Sequence, residues 1–191
     1  MIRSMLALKA AHHPDEPLPA FVRDIEQRIQ AIALVHQKLY QSRDLSRINL
    51  LAYLQDILPL LLQGYGDNSG RIALTIDGED VLVLIDTAIP CGLIISELMS
   101  NALRHAFPDQ RSGEIRIRVD RHGEQIELVF ADNGVGVPSG FDPRRQANLG
   151  LHVLLSLIEQ QLKGQITWDF RSGVAYTIRF QDNLYTPRVS S

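Results

Sequence analysis

The hydrophobic period of the chain changes once, near Gly64, and that change limits the fold more than any other feature. Before it, apolar residues recur at intervals of three and four. AFVRDIEQRIQAIALVHQKLY sets Phe21, Ile25, Ile29, Ile32, Val35 and Leu39 on one stripe of a long amphipathic helix. The segment IRSMLALKAA precedes it and stops at HHPDEP, where two prolines and acidic residues make a turn. The two segments read as a helical hairpin. QSRDLSRI breaks the long helix, Asp44 or Ser46 offers a cap, and INLLAYLQDILPLLL supplies the next helix.

After Gly64 the apolar residues alternate. RIALTID and DVLVLID flank a Gly-Glu turn and predict a hairpin. EIRIRVD and QIELVFAD around RHGE predict a second, and QITWDF and VAYTIRF around RSG a third. Two helical stretches interrupt them, IPCGLIISELMSNALRHAF and GLHVLLSLIEQQL. Paired strands and helices mixed in this way predict an α+β fold. The expected form is a two-layer α/β sandwich, with a mixed sheet covered by helices on one face and the helical hairpin ahead of it. The tail NLYTPRVSS reads as loosely ordered.

Charge and composition close several classes of function. With 191 residues the chain holds one good domain and part of another. A net charge of -3 gives no bulk attraction to nucleic acid or an anionic membrane. The single cysteine, Cys91, excludes an internal disulfide framework and a cysteine-based zinc site. The run INLLAYLQDILPLLLQ is interrupted by Gln55, Asp56 and Pro59, well short of the roughly 20 apolar residues a membrane span needs. MIRSMLALKAAHH lacks the apolar length and cleavage site of a signal peptide. The expected location is cytoplasmic, as a whole protein or as the cytoplasmic piece of a larger one.

Three elements can carry chemistry. In ELMSNALRHAF, Glu97, Asn101 and His105 fall four apart, on one edge of an otherwise apolar helix. An amide oxygen at Asn101 suits Mg²⁺, which prefers oxygen and often takes only one or two protein ligands. A carboxylate one turn away, at Glu97, can hold a metal-bound water or polarise an attacking one. The plain alternative is a helix with a solvated edge. In FADNGVGVP, Asp132 ends a strand and Gly134 and Gly136 follow. A buried carboxylate there can accept a hydrogen bond from the exocyclic amine of adenine, and glycine lets backbone approach a ligand. DNG is also a common hairpin turn. Here no strand follows, and VGVPSGFDPRRQAN runs on without periodicity, which favours a lid. Finally, NLGLHVLLSL opens a helix, whose N-terminus offers unpaired N–H groups to an anion. Arg144 and Arg145 precede it and can reach phosphate oxygens.

Taken in order, ExxxN on a helix, DxGxG after a strand, a loop, and LGL opening a helix describe a pocket for Mg²⁺-nucleotide. In this order the chain resembles the GHKL superfamily of ATP-binding domains (the Bergerat type), shared by histidine kinases, gyrase-type ATPases and the Hsp90 chaperones. ELMSNALRHAF is similar to its N box, DNGVGV to its G1 box and NLGL to its G2 box. SGVAYTIRF sits where its last glycine-containing strand belongs. Within the superfamily the resemblance is to sensor histidine kinases whose acceptor helix reads His-His-Arg-x-x-Lys-Asn-Asn, and it covers nearly the whole chain.

The resemblance implies a Mg²⁺-ATP-binding catalytic region that, in an intact kinase, transfers the γ-phosphoryl group of ATP to a histidine. Asn101 would bind Mg²⁺. Glu97 would be the catalytic carboxylate, holding metal-bound water or acting as general base in a hydrolysis. Arg104 and His105 would lie near the phosphates. Asp132 would hydrogen-bond adenine, with Gly134 and Gly136 shaping that wall. Gly150 would sit at the helix start beneath the phosphates, and Leu151 beside it and Arg145 complete the nucleotide set. The implied partners are ATP, a response-regulator receiver domain and a second copy through the N-terminal helices, with no nucleic acid and no membrane segment. Residues 1–45 would be a partial helical dimerisation domain, 46–185 the ATP-binding catalytic domain and 186–191 a tail.

The sequence departs from that pattern in two places. The acceptor box would lie ahead of IRSMLAL, so the first helix reads as cut short, and the chain is not expected to phosphorylate itself at the usual place. His12 and His13 read as the tip between helices and His36 as a structural histidine. Where the family often carries threonine, this chain has Val174 and lacks the hydroxyl. Two other classes remain: a degenerate module that only dimerises or holds a partner, and an anti-sigma-type serine kinase or ATPase of the same superfamily.

Overall fold

A computed structural model describes residues 47–63, 70–146 and 149–182 of the chain. The helical hairpin expected before residue 46, with His12, His13, His36, Asp44 and Ser46, lies outside the described residues, as does the tail from 183.

A short strand, β1 (Arg47–Asn49), leads directly into helix α1 (Leu50–Gln63). Asn49 caps that helix, its side-chain oxygen accepting the Ala52 N–H at 3.1 Å. Leu50, Tyr53, Leu54, Ile57, Leu58 and Leu61 are buried, whereas Gln55, Asp56, Pro59 and Leu60 are exposed. The residues that interrupt the apolar run are therefore its solvent stripe. Among the described residues no helix is long and apolar enough to cross a membrane.

The remaining strands are β2 (Ile72–Gly78), β3 (Leu82–Leu84), β4 (Gly113–His122), β5 (Gln125–Asp132), β6 (Gln165–Asp169) and β7 (Val174–Gln181). A five-stranded sheet has the order β2-β4-β5-β7-β6. The expected hairpins β4–β5 and β6–β7 form and run antiparallel, with β5 also antiparallel to β7. His122 pairs with Gln125, so Gly123 and Glu124 make a two-residue turn, with Gly123 at a φ of 64° where a II′ turn demands glycine.

The first expected hairpin does not form. β2 pairs in parallel with β4, from Ile72 opposite Gly113 to Gly78 opposite Val119, and β3 pairs with β1 instead. The strand of DVLVLID is also short, because helix α2 (Ile85–Asn101) begins one residue after Leu84. The physical reason is α2 itself. A helix between two strands of one sheet makes a crossover, and a crossover delivers them parallel. Gly78 makes the close approach possible, since a Cβ there would stand 2.0 Å from the Val119 carbonyl oxygen.

The alternation of the strands produces the layers. Ile115, Ile117 and Val119 of β4, Ile126, Leu128 and Phe130 of β5, and Tyr176, Ile178 and Phe180 of β7 are buried on one face. The opposite face carries ion pairs, among them Arg116 with Glu114 and Arg179 with Glu127. Helices α1, α2 and α3 (Leu149–Ser156) join the same core as the buried face, and α3 runs on through a π turn at Leu157–Gln161. This is the expected two-layer sandwich.

Helix α2 is anchored where it begins. The Asp182 carboxylate, just past β7, accepts the Leu84 N–H at 3.2 Å and the Thr87 hydroxyl at 2.6 Å. It is an acidic cap supplied from the far end of the domain, and it sits at the positive end of the helix. Replacing it leaves a buried hydroxyl and an N–H without their acceptor. Asp182→Ala is therefore expected to lose about 2 kcal/mol of stability, a drop in melting temperature of roughly 4–8 °C for a domain of this size. Asp182→Asn, which keeps an acceptor, should lose less. A melt of Asp182→Ala coinciding with the parent would show that the cap contributes nothing.

Candidate functional site

Helix α2 does not end as a regular α-helix. At Ala102–Ala106 it widens into a π turn. Such turns are rare and concentrate at functional sites. The loop after β5 docks on this end. Val135 donates its N–H to the Ala106 carbonyl at 2.9 Å, and Gly134 lies so close that a Cβ would stand 2.4 Å from Ala106 Cβ. Asn133 ties the loop back to β4, its side-chain oxygen accepting the Glu114 N–H at 2.8 Å. The motifs read separately in the sequence are thus in contact.

Asp132 ends β5 directly opposite Val174, the first residue of β7. Its Oδ1 accepts two backbone hydrogen bonds, from Gly134 at 2.9 Å and from Val174 at 3.3 Å. Both fall on one oxygen, and among the described residues Oδ2 has no protein partner. The carboxyl is buried, and burial raises its pKa against the lowering effect of the two N–H groups and of Arg111.

A cavity of about 250 Å³ opens between α2, β5, β7 and the loop. Leu98, Asn101, Ala102, His105 and Ala106 line its helix side. Phe130, Asp132, Val174 and Tyr176 line its sheet side, and Gly136, Val137, Pro138, Phe141 and Leu151 complete it. Of the residues singled out from the sequence, Asn101, His105, Asp132, Gly136 and Leu151 come together on this wall. Glu97 is half-buried one turn before Asn101 but does not line the cavity, whose face runs instead through Leu98, Asn101 and His105. Gly134 packs under the wall, against Ala106. Gly150 is half-buried in the first turn of α3, and Arg104 is exposed outside the cavity.

Neither loop arginine lines it. Arg145 is exposed and pairs with Asp142 at 3.5 Å. Arg144 pairs with Glu159 at 2.6 Å and lies 5.8 Å above the Trp168 ring. The loop is pinned further in by aromatic contacts, Phe141 against Phe170 and Phe170 edge-on to Tyr176. From Asn133 to Gln146 it has no helix or strand, as its lack of periodicity predicts. Sequence reasoning missed Tyr176 and Phe141. An aromatic residue on an alternating strand reads as core, and one in a structureless loop gives no signal.

Residues 86–184 match the family described as histidine kinase-, DNA gyrase B- and HSP90-like ATPase. The chain belongs to this ATPase family. Residues 1–65 match a further family model described as histidine kinase. The chain is 31% identical over 141 residues to the sensor histidine kinase PdtaS of Mycobacterium tuberculosis, covering 73% of this chain and 28% of that protein. It is 32% identical over 144 residues to the blue-light-activated histidine kinase 2 of Erythrobacter litoralis, covering 71% and 40%. Both relatives are thus much longer than the part matched here. The histidine kinase domain of the Erythrobacter litoralis EL346 blue-light-activated kinase superposes with a TM-score of 0.75 at 27% identity, over 95% of this chain and 82% of that one. The domain is a histidine kinase-type ATPase domain of the GHKL form, and nucleotide binding comes with that family.

The raised pKa of Asp132 has a definite consequence. Its folded-state pKa lies above the ordinary 3.8. The stability it contributes is therefore present below the unfolded pKa and is lost as pH rises through the folded one. At neutral pH the buried charge costs the ligand-free domain stability. Asp132→Asn keeps an acceptor for Gly134 and Val174 without the charge. It should melt higher than the parent at pH 7, with the difference shrinking as pH falls toward the carboxylate range. Melting curves across pH test this, and a variant that melts lower at pH 7 would refute it.

Proposed function

We propose that this chain is the Mg²⁺-ATP-binding catalytic region of a two-component sensor histidine kinase. In the whole protein the γ-phosphoryl group of ATP would pass to a histidine, and from there to an aspartate of a response-regulator receiver domain. The reading rests on one observation above all: a buried carboxylate with one committed oxygen shares a cavity with the amide of Asn101 and the imidazole of His105. The Oδ2 of Asp132 suits the exocyclic amine of adenine. Leu98, Ala102, Phe130 and Val174 provide the apolar walls that a flat base requires.

The triphosphate would extend from that end past Asn101 and His105 toward Gly150 and Leu151. There the N-terminal N–H groups of α3 favour negative charge. Arg104 and Arg145, both exposed, are the cations nearest in sequence to these elements; Arg145 has to leave Asp142 before it can meet a phosphate. Gly134 and Gly136 keep the loop wall thin enough for the base.

The donor set fits magnesium. Among the described residues no group of three His, Cys, Asp or Glu could hold a metal alone. Mg²⁺ needs no such group, since phosphate oxygens and waters fill most of its octahedron. Asn101 would supply the protein oxygen, and the ion, when bound, neutralises charge on the phosphates. Glu97, one turn earlier, would orient a water of that shell or serve as general base in a hydrolysis. Catalysis would come mainly from positioning and charge compensation.

The match of residues 1–65 to a histidine kinase model, and the wide apolar stripe between Phe21 and Leu39, support a homodimer built by the N-terminal helices. The region from 46 to 185 would then be the ATP-binding domain and the residues before it part of the dimerisation domain. A protein that consumes ATP in this way would work in the cytoplasm.

Calorimetric titration tests the reading. The chain should bind ATP in a magnesium-dependent manner. Asp132→Asn, which presents an N–H₂ to the amine, should bind at least about tenfold more weakly. Asn101→Ala should bind ATP with little response to magnesium. No binding by the parent, or equal binding by Asp132→Asn, would refute the assignment. Light scattering at micromolar concentration should give the mass of a dimer, and a monomer there would remove that part of the proposal.

A further inference from the structure

Tyr176 sits two residues beyond Val174 on β7, and Val174 pairs with Asp132 on β5. Diagonal neighbours on one face of an antiparallel pair lie within reach of long and aromatic side chains. Tyr176 and Asp132 accordingly line the same cavity. The tyrosine is only 6% exposed, yet among the described residues its hydroxyl has no hydrogen-bond partner.

The ring has little freedom to seek a partner elsewhere. Phe170 meets it edge-on, with centroids 5.8 Å apart and planes at 78°, and Phe170 itself rests against Phe141. Packing alone would be served by phenylalanine. The hydroxyl oxygen is not fully enclosed, and the residue lines the cavity.

We propose that Tyr176 is a base-recognition residue: its hydroxyl donates a hydrogen bond to the ring nitrogen next to the exocyclic amine taken by Asp132. The inference rests on the adenine reading of the cavity given above. A carboxylate that accepts and a phenol that donates, side by side on one sheet face, complement an edge on which an amine stands beside a ring nitrogen. A keto purine presents an acceptor in place of that amine and would oppose Asp132. Burial and the charge of Asp132 hold the phenol pKa up to about 12, so the donor keeps its proton over the whole working range of pH.

Adenine has two ring nitrogens flanking its amine, N1 and N7, and the test separates them. The parent and Tyr176→Phe are titrated with Mg²⁺-ATP and with two ATP analogues, one carrying carbon in place of N1 and the other in place of N7. Tyr176→Phe should weaken ATP about 3- to 10-fold, the worth of one neutral hydrogen bond. It should leave unchanged the affinity for one of the two analogues, which the parent already binds more weakly than ATP. Tyr176→Phe binding ATP as tightly as the parent would remove the contact while leaving the adenine reading in place. An equal loss on ATP and on both analogues would show a packing effect and overturn the contact as well. A parent that binds none of the three removes the adenine reading and this inference together.

Discussion

Gly134 has no room for a side chain, and the site depends on that. Its Cα rests on the end of α2 so closely that an added methyl group would stand 2.4 Å from Ala106 Cβ and 2.5 Å from the Ala106 carbonyl oxygen. A second contact of the same kind lies across the sheet. A Cβ on Gly173, whose φ is 93°, would stand 2.1 Å from the Asp132 carbonyl oxygen. Two glycines thus let three backbone segments converge on one carboxylate. With Oδ1 of Asp132 held by Gly134 and Val174, the direction of Oδ2 is set by the backbone rather than by a mobile side chain. Polar groups fixed in advance in this way are the most effective ones at a binding site.

The scaffold delivers the facing wall to the same place. Helix α2 is fixed at its start by a carboxylate from beyond β7 and at its end by the docked loop. Asn101 and His105 still share the cavity, but Leu98 rather than Glu97 completes their face. Val137, Pro138 and Phe141 of the loop face the cavity, while its arginines pair outside the lining, Arg144 with Glu159 and Trp168 and Arg145 with Asp142. These are exposed ion pairs, individually weak. A ligand that offers a stronger anion can exchange them, whereas the aromatic contacts from Phe141 to Tyr176 hold the base of the loop.

Much of this was legible in the residues, and the exceptions have physical reasons. Alternation in EIRIRVD and QIELVFAD announced β4 and β5, and the turn chemistry of RHGE their pairing. The same signal misassigned β2, because period-two alternation says which residues share a face and nothing about which edge meets which. Asn49 as a cap was hidden in a run that also forms β1. Asn101, His105 and Asp132 stood out because polar residues in apolar surroundings are costly unless they have work to do. Tyr176 did not, because its ring satisfies the core pattern and only its neighbours reveal an unmatched hydroxyl.

By itself, then, the sequence determined the elements, the faces they bury and the polar residues that interrupt those faces, since each follows from local spacing. It also carried the order of motifs from which the ATPase family is recognised. Only the tertiary structure decided that β2 lies parallel to β4, that the wall of the cavity passes through Leu98 instead of Glu97, and that neither loop arginine lines it. Those outcomes depend on close contacts between segments far apart in the chain, at Gly78 with Val119, at Gly134 with Ala106 and at Asp182 with Thr87. No local period records such contacts, because they exist only once the segments have met.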